Sequence, residues 1–438
     1  FNKSIADDIR SKARSGEVKT LNALGHRQWM QNSHRSELNG HKSSEILTKL
    51  VQTGRVSKEV QKEYGYTISR VVGLAKNNAF GIQSFFDVHD FTALIDNYQF
   101  EVPAEKLEEI AGIALAVFTE GNKDLSTFDF DDQLYIPALL DWDYPHYDNV
   151  FVDESQDLSP IQHIMLHRLA QNGARIIAVG DRHQAIYGFR GAMSNSMDTL
   201  KLAFDMTELP LSISYRCAKS IIKEAQTYCP YIEAREGAPE GSVSNRWFEV
   251  DEATGNYHDR DPELFDDSLV ICRNNAPLFG AVLRHVRAKK PCRVLTNFLD
   301  SFQSFVQSFK AGTTKDLLPK LDAWFEKEKA AAEEKGFRGK VLALTDRYET
   351  VKLIAAEFTL VSDMVAMIKK VAAGTSGPTF STVHKAKGLE HERVYILRPD
   401  LMPSPWANPP EQKQQEYNLL YVAITRAKEK LTYGVSRT

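Results

Sequence analysis

Asp153 and Glu154 are adjacent carboxylates that follow directly after three apolar residues, 150–152. Such an apolar run predicts a buried parallel strand, and open α/β sheets bind ligands at the carboxyl ends of these strands. One carboxylate could hold Mg²⁺ through its water shell, while the other orients or deprotonates an attacking water. The pair could instead cap a helix, because acidic side chains accept hydrogen bonds from the free N–H groups of a first turn. The pair alone leaves both interpretations open.

The composition is that of an ordinary globular protein, with 42% hydrophobic and 26% charged residues among 438. This length predicts about two to four domains. The net charge of −4 does not indicate a nucleic-acid binder, although a large protein can confine its basic surface to one groove. The four cysteines form no CxxC pair and predict small buried residues in a reducing compartment. No apolar run approaches about 18 residues and no signal peptide is visible, so we expect no membrane association.

Strand-like runs alternate with helical segments in two regions of the chain. Buried strands are predicted at residues 150–152 and 175–179, further strands at 211–216, 268–273, 293–295, 379–383, 394–397 and 431–435, and a short strand and turn at 18–25. Two long stretches instead carry apolar residues at helical spacing among many charges. The expected fold class is therefore α/β, with two parallel-sheet cores that are each interrupted by a helical insertion. The cores are predicted at residues 1–28 with 123–205 and at 206–300 with 376–438, and the insertions at 29–122 and 301–375.

Polar loops follow the predicted strands, and loops at strand ends commonly carry function. Five of these segments occur in the order and spacing of motifs II to VI of the UvrD/Rep-type superfamily 1A DNA helicases, and they resemble them closely. They are residues 153–157, 180–192, 214–216, 382–390 and 421–427. Residues 1–6 and 20–25 resemble motifs Ia and Ib. The amino-acid sequences of the motifs favour the compact branch that contains F-box helicases and phage enzymes. The resemblance implies RecA-like cores and a Walker B role for the acidic pair.

The resemblance also implies an ATP hydrolase whose site, with ATP and Mg²⁺, is built from both cores. The implied catalytic residues are Asp153 on Mg²⁺, Glu154 on the attacking water, Gln184 on the γ-phosphate, and the arginine fingers Arg216 and Arg426. The implied nucleotide contacts are Tyr215 on the adenine, Glu390 on the ribose or the metal shell, and Gly388. Outside this motif context, each arginine would more often form a surface ion pair, because such pairs are common.

On the DNA side, the resemblance implies aromatic stacking on bases, which suits a motor because stacking tolerates any sequence. The implied contacts are Phe189, Tyr187, Arg190, Thr20, Asn22, Thr382 and His384. Tyr187 and Phe189 could instead pack beneath their loop, and His384 could be a structural histidine. Family members move 3′→5′, so we expect a monomer that acts on single-stranded and 3′-tailed DNA in repair, recombination or replication. Its compartment would be the cytoplasm (nucleoid) of a prokaryote or phage host, or a eukaryotic nucleus.

One departure from the family pattern concerns the phosphate-binding loop. GxxxxGK followed by Ser or Thr occurs nowhere in the sequence, and Gly339-Lys340 lacks both the upstream glycine and the following hydroxyl. In the family this Walker A segment precedes motif Ia. We therefore expect the first core to be incomplete at its N-terminus, with exposed apolar surface, and the chain to bind and hydrolyse ATP poorly. The alternative hypothesis is a non-catalytic helicase-like module that binds single-stranded DNA or a protein.

Overall fold

A computed structural model describes residues 3–33, 36–82, 84–98, 100, 102–188, 191–193, 195–250, 257–258, 265–334, 337–405, 407 and 410–436. The chain divides into two units, Phe1–Glu208 and Leu209–Thr438. Each unit has its own hydrophobic core. Among the described residues, no helix combines the length and the apolar character that crossing a membrane requires.

The first unit is mainly helical. Its helices are α1 (Lys3–Lys12), α2 (Leu21–Asn32), α3 (Lys42–Gln52), α4 (Lys58–Asn77), α5 (Val88–Asn97), α6 (Leu107–Lys123), α7 (Asp132–Leu139), α8 (Pro160–Gln171) and α9 (Ser196–Ala203). Two small parallel sheets accompany them, β1 (Glu37–Leu38) with β2 (Thr127–Phe128) and β3 (Asn149–Val152) with β4 (Arg175–Ala178). The helix α4 shows why these segments fold as they do. The Ser57 hydroxyl caps its first turn by accepting from the Val60 N–H, and apolar residues at three- and four-residue spacing bury one face.

The strands β3 and β4 pair in parallel as predicted, but the prediction that both are buried is wrong. Side chains alternate between the two faces of a strand, and Val152 lies in the core whereas Phe151 is 74% exposed. Within the described residues this sheet contains only two strands, so the face that carries Phe151 has no cover. Val179, which follows β4, is also exposed. The expectation of exposed apolar surface on this core is thus confirmed.

The strand expected at residues 18–25 is a helix start instead. The Thr20 hydroxyl accepts a hydrogen bond from the Ala23 N–H at 3.1 Å, and α2 begins at Leu21. A threonine at this position supplies an acceptor that the first helical turn otherwise lacks. Gly25 then lets α2 approach α7 closely, because a Cβ at this position would lie 2.0 Å from the Gln133 carbonyl oxygen.

Buried ion pairs connect α3 and α4 to the start of α7. The Lys42 ammonium lies 2.9 Å from one oxygen of Asp132, and the Lys76 ammonium lies 2.8 Å from the other and 2.7 Å from Asp129. Burial acts to raise the pKa of Asp132, but the two lysines lower it more, so the pKa lies below its usual value. The segment before α7, which includes Asp131, is thereby fixed to the helical block.

The second unit is built on a parallel sheet, which confirms the α/β fold class. Its strands are β5 (Ile213–Ser214), β6 (Glu233–Ala234), β7 (Ser242–Val250), β8 (Tyr257–His258), β9 (Leu269–Cys272), β10 (Arg293–Leu295), β11 (Thr379–Thr382), β12 (His391–Leu397) and β13 (Ala427–Ser436). The main sheet has the order β10-β11-β9-β12-β13-β7-β8, in which only β8 is antiparallel, and β5 pairs with β6 separately. The central strand β9 is buried along its whole length.

The helices of this unit are α10 (Lys219–Ala225), α11 (Asn275–Arg287), α12 (Phe298–Ser308), α13 (Thr314–Glu334), α14 (Arg338–Ala355), α15 (Val361–Ala372), α16 (Val383–Ala386) and α17 (Pro410–Ile424). Four of them, α12 to α15, lie between β10 and β11 in the chain. The Asp346 carboxylate of α14 accepts from the N–H groups of Asn275 and Ala276, so it caps α11 and joins this helical block to the sheet. The four cysteines form no disulfide and are buried, as predicted. The boundaries proposed for cores and insertions stay predictions.

Candidate functional site

The acidic pair lies where β3 ends. Asp153 is exposed, and one of its carboxylate oxygens accepts from the Glu154 N–H at 2.9 Å. Glu154 has left-handed backbone angles, φ 53° and ψ 40°. This conformation is uncommon for a residue with a side chain, and it persists only where the surroundings stabilise it. An exposed carboxylate at a strand end suits Mg²⁺, which keeps much of its water shell and takes one or two protein carboxylates together with substrate phosphates.

Gln156 joins the acidic loop to the loop that follows β4. Its side-chain amide donates a hydrogen bond to the Glu154 carboxylate, and its amide oxygen accepts from the Asp181 N–H at 3.0 Å. The Ser155 N–H donates to the Val179 carbonyl at 3.0 Å, which adds a backbone link between the same two loops. The sequence prediction did not single out Gln156.

Gln184 belongs to the same hydrogen-bonded network. Asp181 caps the short 3₁₀ helix Arg182–Gln184 by accepting from the His183 N–H at 2.9 Å. The other oxygen of Asp181 accepts from the Gln184 side-chain amide, also at 2.9 Å. A continuous path of hydrogen bonds therefore runs from Glu154 through Gln156 and Asp181 to Gln184. The structure brings these two predicted catalytic residues into one network.

The buried side chains of Ser196 and His163 also support the acidic loop. The Ser196 hydroxyl donates to the Ser155 carbonyl at 2.6 Å, so Nε2 of His163, 2.9 Å away, must donate to the Ser196 oxygen. Burial lowers the pKa of His163 to about 4, and the nearby His167 acts in the same direction. Nothing in the spacing of His163 along α8 indicated this contact.

One residue predicted to contact DNA in the first unit, Asn22, lies beside an exposed aromatic residue. Thr20 caps α2, and the Asn22 side-chain amide donates to the Phe130 carbonyl at 3.1 Å. Phe130 is 61% exposed, and the sequence prediction missed it, although an aromatic residue between two aspartates is a usable signal. Tyr187 is partly buried. Phe189 and Arg190 lie outside the described residues.

Asn22 also lines a polar cavity of about 470 Å³ in the first unit. Its lining includes Asn22, Arg70, Asn77, Asp131, Asp157 and Gln162. Burial, reinforced by the neighbouring Asp129, raises the pKa of Asp131 to about 6. The cavity thus connects a predicted DNA contact with Asp157, the last acidic residue of the Walker B-like segment.

In the second unit, Arg216 and Glu390 form an ion pair. Nε of Arg216 lies 2.7 Å from one Glu390 oxygen, and the Lys428 ammonium lies 3.0 Å from the other. The hydrogen bond from Lys428, followed by the charge of Arg216, outweighs partial burial and lowers the pKa of Glu390. Tyr215 is 79% exposed. Gly388 has a positive φ of 86°, which favours glycine, and it leaves open space beside its backbone.

Arg426 is 1% exposed in this unit. Its guanidinium donates to the carbonyls of Val422 and Leu389 at 2.9 and 3.1 Å and to the Thr425 hydroxyl at 3.1 Å. It therefore ties the end of α17 to the loop that carries Gly388. The predicted DNA contacts of this unit are less exposed than Tyr215. Thr382 precedes α16 and His384 lies within it, and both are partly buried.

Comparison with known proteins defines the class. Residues 18–205 match the UvrD/REP helicase N-terminal domain, and residues 293–438 match the UvrD-like helicase C-terminal domain. The chain belongs to the UvrD-like helicase family, which confirms the resemblance of its motifs.

Three relatives illustrate the range of the family. The chain is 26% identical to F-box DNA helicase protein 1 of Schizosaccharomyces pombe, over 68% of this chain and 35% of that protein. It is 23% identical to the putative ATP-dependent DNA helicase YjcD of Bacillus subtilis, over 70% and 55%. It is also 23% identical to DNA helicase II of Haemophilus influenzae, over 69% and 57%. The chain spans less than two thirds of the length of each of these relatives.

Proposed function

We propose that the protein is an ATP-dependent DNA helicase that moves 3′→5′ along single-stranded DNA. The observation that carries this proposal is the hydrogen-bonded path from Glu154 to Gln184 at the ends of two parallel strands. It supplies in one network a carboxylate for an attacking water and an amide for a phosphate oxygen, next to the exposed carboxylate of Asp153. Phosphoryl transfer from a nucleotide needs this combination of a metal carboxylate, a water-orienting group and hydrogen-bond donors to the phosphate.

In this proposal, three side chains of the first unit have separate roles at the nucleotide. Asp153 would hold Mg²⁺, which neutralises charge on the phosphates when it is bound. Glu154 would accept the proton of the attacking water, and Gln184 would donate to the γ-phosphate.

The second unit would supply cations and the adenine contact. Arg216 has five N–H donors. Because its ion pair with Glu390 is partly exposed, Arg216 could release Glu390 and bind a phosphate instead. Arg426 could bind a phosphate only by breaking its hydrogen bonds to buried acceptors. Tyr215 has the exposure that adenine stacking needs, and Gly388 and Glu390 lie on the adjoining loop.

For single-stranded DNA, we propose contacts from side chains of each unit, which are exposed or partly exposed wherever the structure describes them. The proposed contacts are Thr20, Asn22, Phe130, Tyr187, Phe189, Arg190, Thr382 and His384. The aromatic ring of Phe130 could stack on a base irrespective of sequence. The substrates would be single-stranded and 3′-tailed DNA, bound by a monomer in the nucleoid of a prokaryote or phage host or in a eukaryotic nucleus.

A second candidate function follows from one sequence observation. The 438 residues contain no GxxxxGK motif with a following hydroxyl, and this motif supplies backbone N–H groups and a lysine to the phosphates. We infer that these residues by themselves hydrolyse little ATP. A helicase-like module that binds single-stranded DNA without turnover is therefore the alternative.

The deciding experiment is ATP hydrolysis by the full-length gene product, with and without single-stranded DNA. Glu154→Gln should lower turnover by about 100-fold or more and leave nucleotide binding intact, because it removes only the proton acceptor. Glu120→Gln is the matched control, since Glu120 forms an exposed ion pair with Lys123 on α6. Unchanged turnover in Glu154→Gln would refute the catalytic role. Salt-sensitive DNA binding by a wild type that never hydrolyses ATP would favour the binding module.

A further inference from the structure

We propose that Gln156 is a positioning residue that holds Glu154 and the loop of residues 180–184 in one arrangement. The inference rests on the role proposed for Glu154. Gln156 is 2% exposed, and both ends of its amide are used, one toward the Glu154 carboxylate and the other toward the Asp181 N–H. Its side chain therefore joins the two loops at the Glu154 carboxylate.

The chemistry of the two partners fixes the orientation of this amide. An ionised carboxylate only accepts hydrogen bonds, and a backbone N–H only donates them. The bridging group must therefore present a donor to Glu154 and an acceptor to Asp181. A glutamine amide offers both on one planar group, whereas a glutamate at this position would keep the acceptor and lose the donor.

The backbone at Gly180 leaves room for this bridge. A Cβ at Gly180 would lie 2.5 Å from the amide oxygen of Gln156 and 2.6 Å from the Ser155 hydroxyl. Because a carbon atom cannot approach so closely, any larger residue at 180 would displace the Gln156 side chain. The glutamine lies in a gap between the two loops that the missing side chain of Gly180 creates.

Such a bridge transmits displacement in either direction. The 3₁₀ helix Arg182–Gln184 is capped by Asp181, so a shift of that helix moves the Asp181 N–H and with it the Gln156 amide. Tyr187, a proposed DNA contact, follows on the same loop. Gln156 would thus relay the position of the DNA-side loop to the carboxylate that handles the water, through a contiguous set of hydrogen bonds.

Two substitutions separate the two hydrogen bonds. Gln156→Met keeps similar volume and removes both, while Gln156→Glu keeps the acceptor for Asp181 and replaces the amide donor by a second carboxyl group, which repels Glu154 or shares a proton with it. Gln162→Glu is the matched control. Gln162 is a buried glutamine of α8 whose side-chain oxygen accepts from the Ser159 N–H at 2.9 Å, and a glutamate keeps that bond.

Hydrogen exchange of this chain, without nucleotide, tests the link between the loops. Exchange in peptides spanning residues 178–188 should accelerate about tenfold in Gln156→Met and stay within about threefold of wild type in Gln156→Glu and Gln162→Glu. Unchanged exchange in α8 peptides establishes that each variant is folded. Wild-type exchange of residues 178–188 in Gln156→Met would overturn the proposal.

Steady-state kinetics of the full-length gene product test the positioning role. Both Gln156 variants should lower kcat by about tenfold or more and leave KM for ATP within about threefold, because ground-state nucleotide binding does not use this bridge. Gln162→Glu should match wild type. Wild-type kcat in both Gln156 variants would overturn the proposal. A wild type without turnover would instead refute the proposed function, and the exchange result would then decide by itself whether Gln156 joins the loops.

Discussion

Replacing His163 by glutamine tests whether the buried hydrogen bond between His163 and Ser196 makes the stability of the first unit depend on pH. His163 is 6% exposed, and its Nε2 donates to Ser196, which in turn donates to the Ser155 carbonyl. Burial, with His167 acting in the same direction, lowers the pKa of His163 from 6.5 to about 4. A glutamine can present an N–H donor at a similar place, and it does not titrate.

The sign and the size of the effect follow from the two pKa values. Between pH 6.5 and about 4, the unfolded chain binds the His163 proton more readily than the folded chain does. The stabilisation is therefore present above pH 6.5 and is lost as the pH falls toward 4. At about 1.4 kcal/mol for each pKa unit, the complete loss is about 3 kcal/mol, of which about 2 kcal/mol has occurred at about pH 4.5.

The assay is urea unfolding of wild type and His163→Gln at about pH 7 and about pH 4.5. The free energy of unfolding of the variant, relative to wild type, should rise by about 2 kcal/mol between the two conditions. In NMR spectra, the imidazole signal that the variant lacks should titrate near pH 4. A constant difference in stability, or a midpoint near pH 6.5, would refute the reasoning.

Two further predictions concern charged side chains in the two units. Because the pKa of Asp131 is raised to about 6 by burial and by Asp129, stability falls as the pH rises from 3.8 through 6. In urea unfolding above pH 6, the free energy of unfolding of Asp131→Asn should therefore exceed that of wild type by about 1–3 kcal/mol. This difference should vanish below about pH 4, and equal urea midpoints at neutral pH would contradict the prediction. Arg426→Ala should lower the free energy of unfolding by about 2–5 kcal/mol because it leaves buried carbonyls unpaired, whereas Arg216→Ala removes a partly exposed pair and should cost about 1 kcal/mol or less. Equal losses in the two arginine variants would show that Arg426 has no special structural role.

The α/β class and several strands could be predicted from the sequence because buried strands leave a simple signal. The apolar run at 268–273 is β9, which is buried along its whole length, and the run at 394–397 lies within β12. Motif order carried the family assignment, because five segments in one order constrain each other more than any one of them does. Local patterns suffice where a strand is covered on both faces.

The elements that were missed depend on partners distant in sequence. The strand β7 (Ser242–Val250) has no continuous apolar run, and it forms because its backbone pairs with β13. The start of α2 carried a cap signal at Thr20, but the short apolar residues around it also suited a strand. Exposed apolar surface was expected on this core, but the run at 150–152 could not show that Phe151 is the exposed residue, because an apolar run does not indicate how many faces of a strand are covered.

Motif resemblance named residues of the candidate site, but it did not name the side chains that support them. Motif resemblance indicated Glu154 and Gln184 as a pair, and the structure joins them in one network. The bridge through Gln156, by contrast, depends on where the Asp181 N–H lies relative to a loop 25 residues earlier. The burial of Arg426 is likewise a property of the folded second unit, since an arginine after a threonine gives no sign of three inward-facing acceptors.

The left-handed backbone of Glu154 shows why that support matters. This conformation costs about 1–2 kcal/mol for a residue with a side chain. Two side-chain hydrogen bonds stabilise the loop, one from Gln156 to the Glu154 carboxylate and one from Ser196 to the Ser155 carbonyl. Each such bond contributes about 1 kcal/mol, and the backbone hydrogen bonds from Ser155 to the Val179 carbonyl and from Asp157 to the Glu154 carbonyl add to them, so no single one decides the backbone conformation. The loss of Gln156 alone should therefore leave the turn in place and free the carboxylate, which is why its effect belongs in kcat rather than in folding.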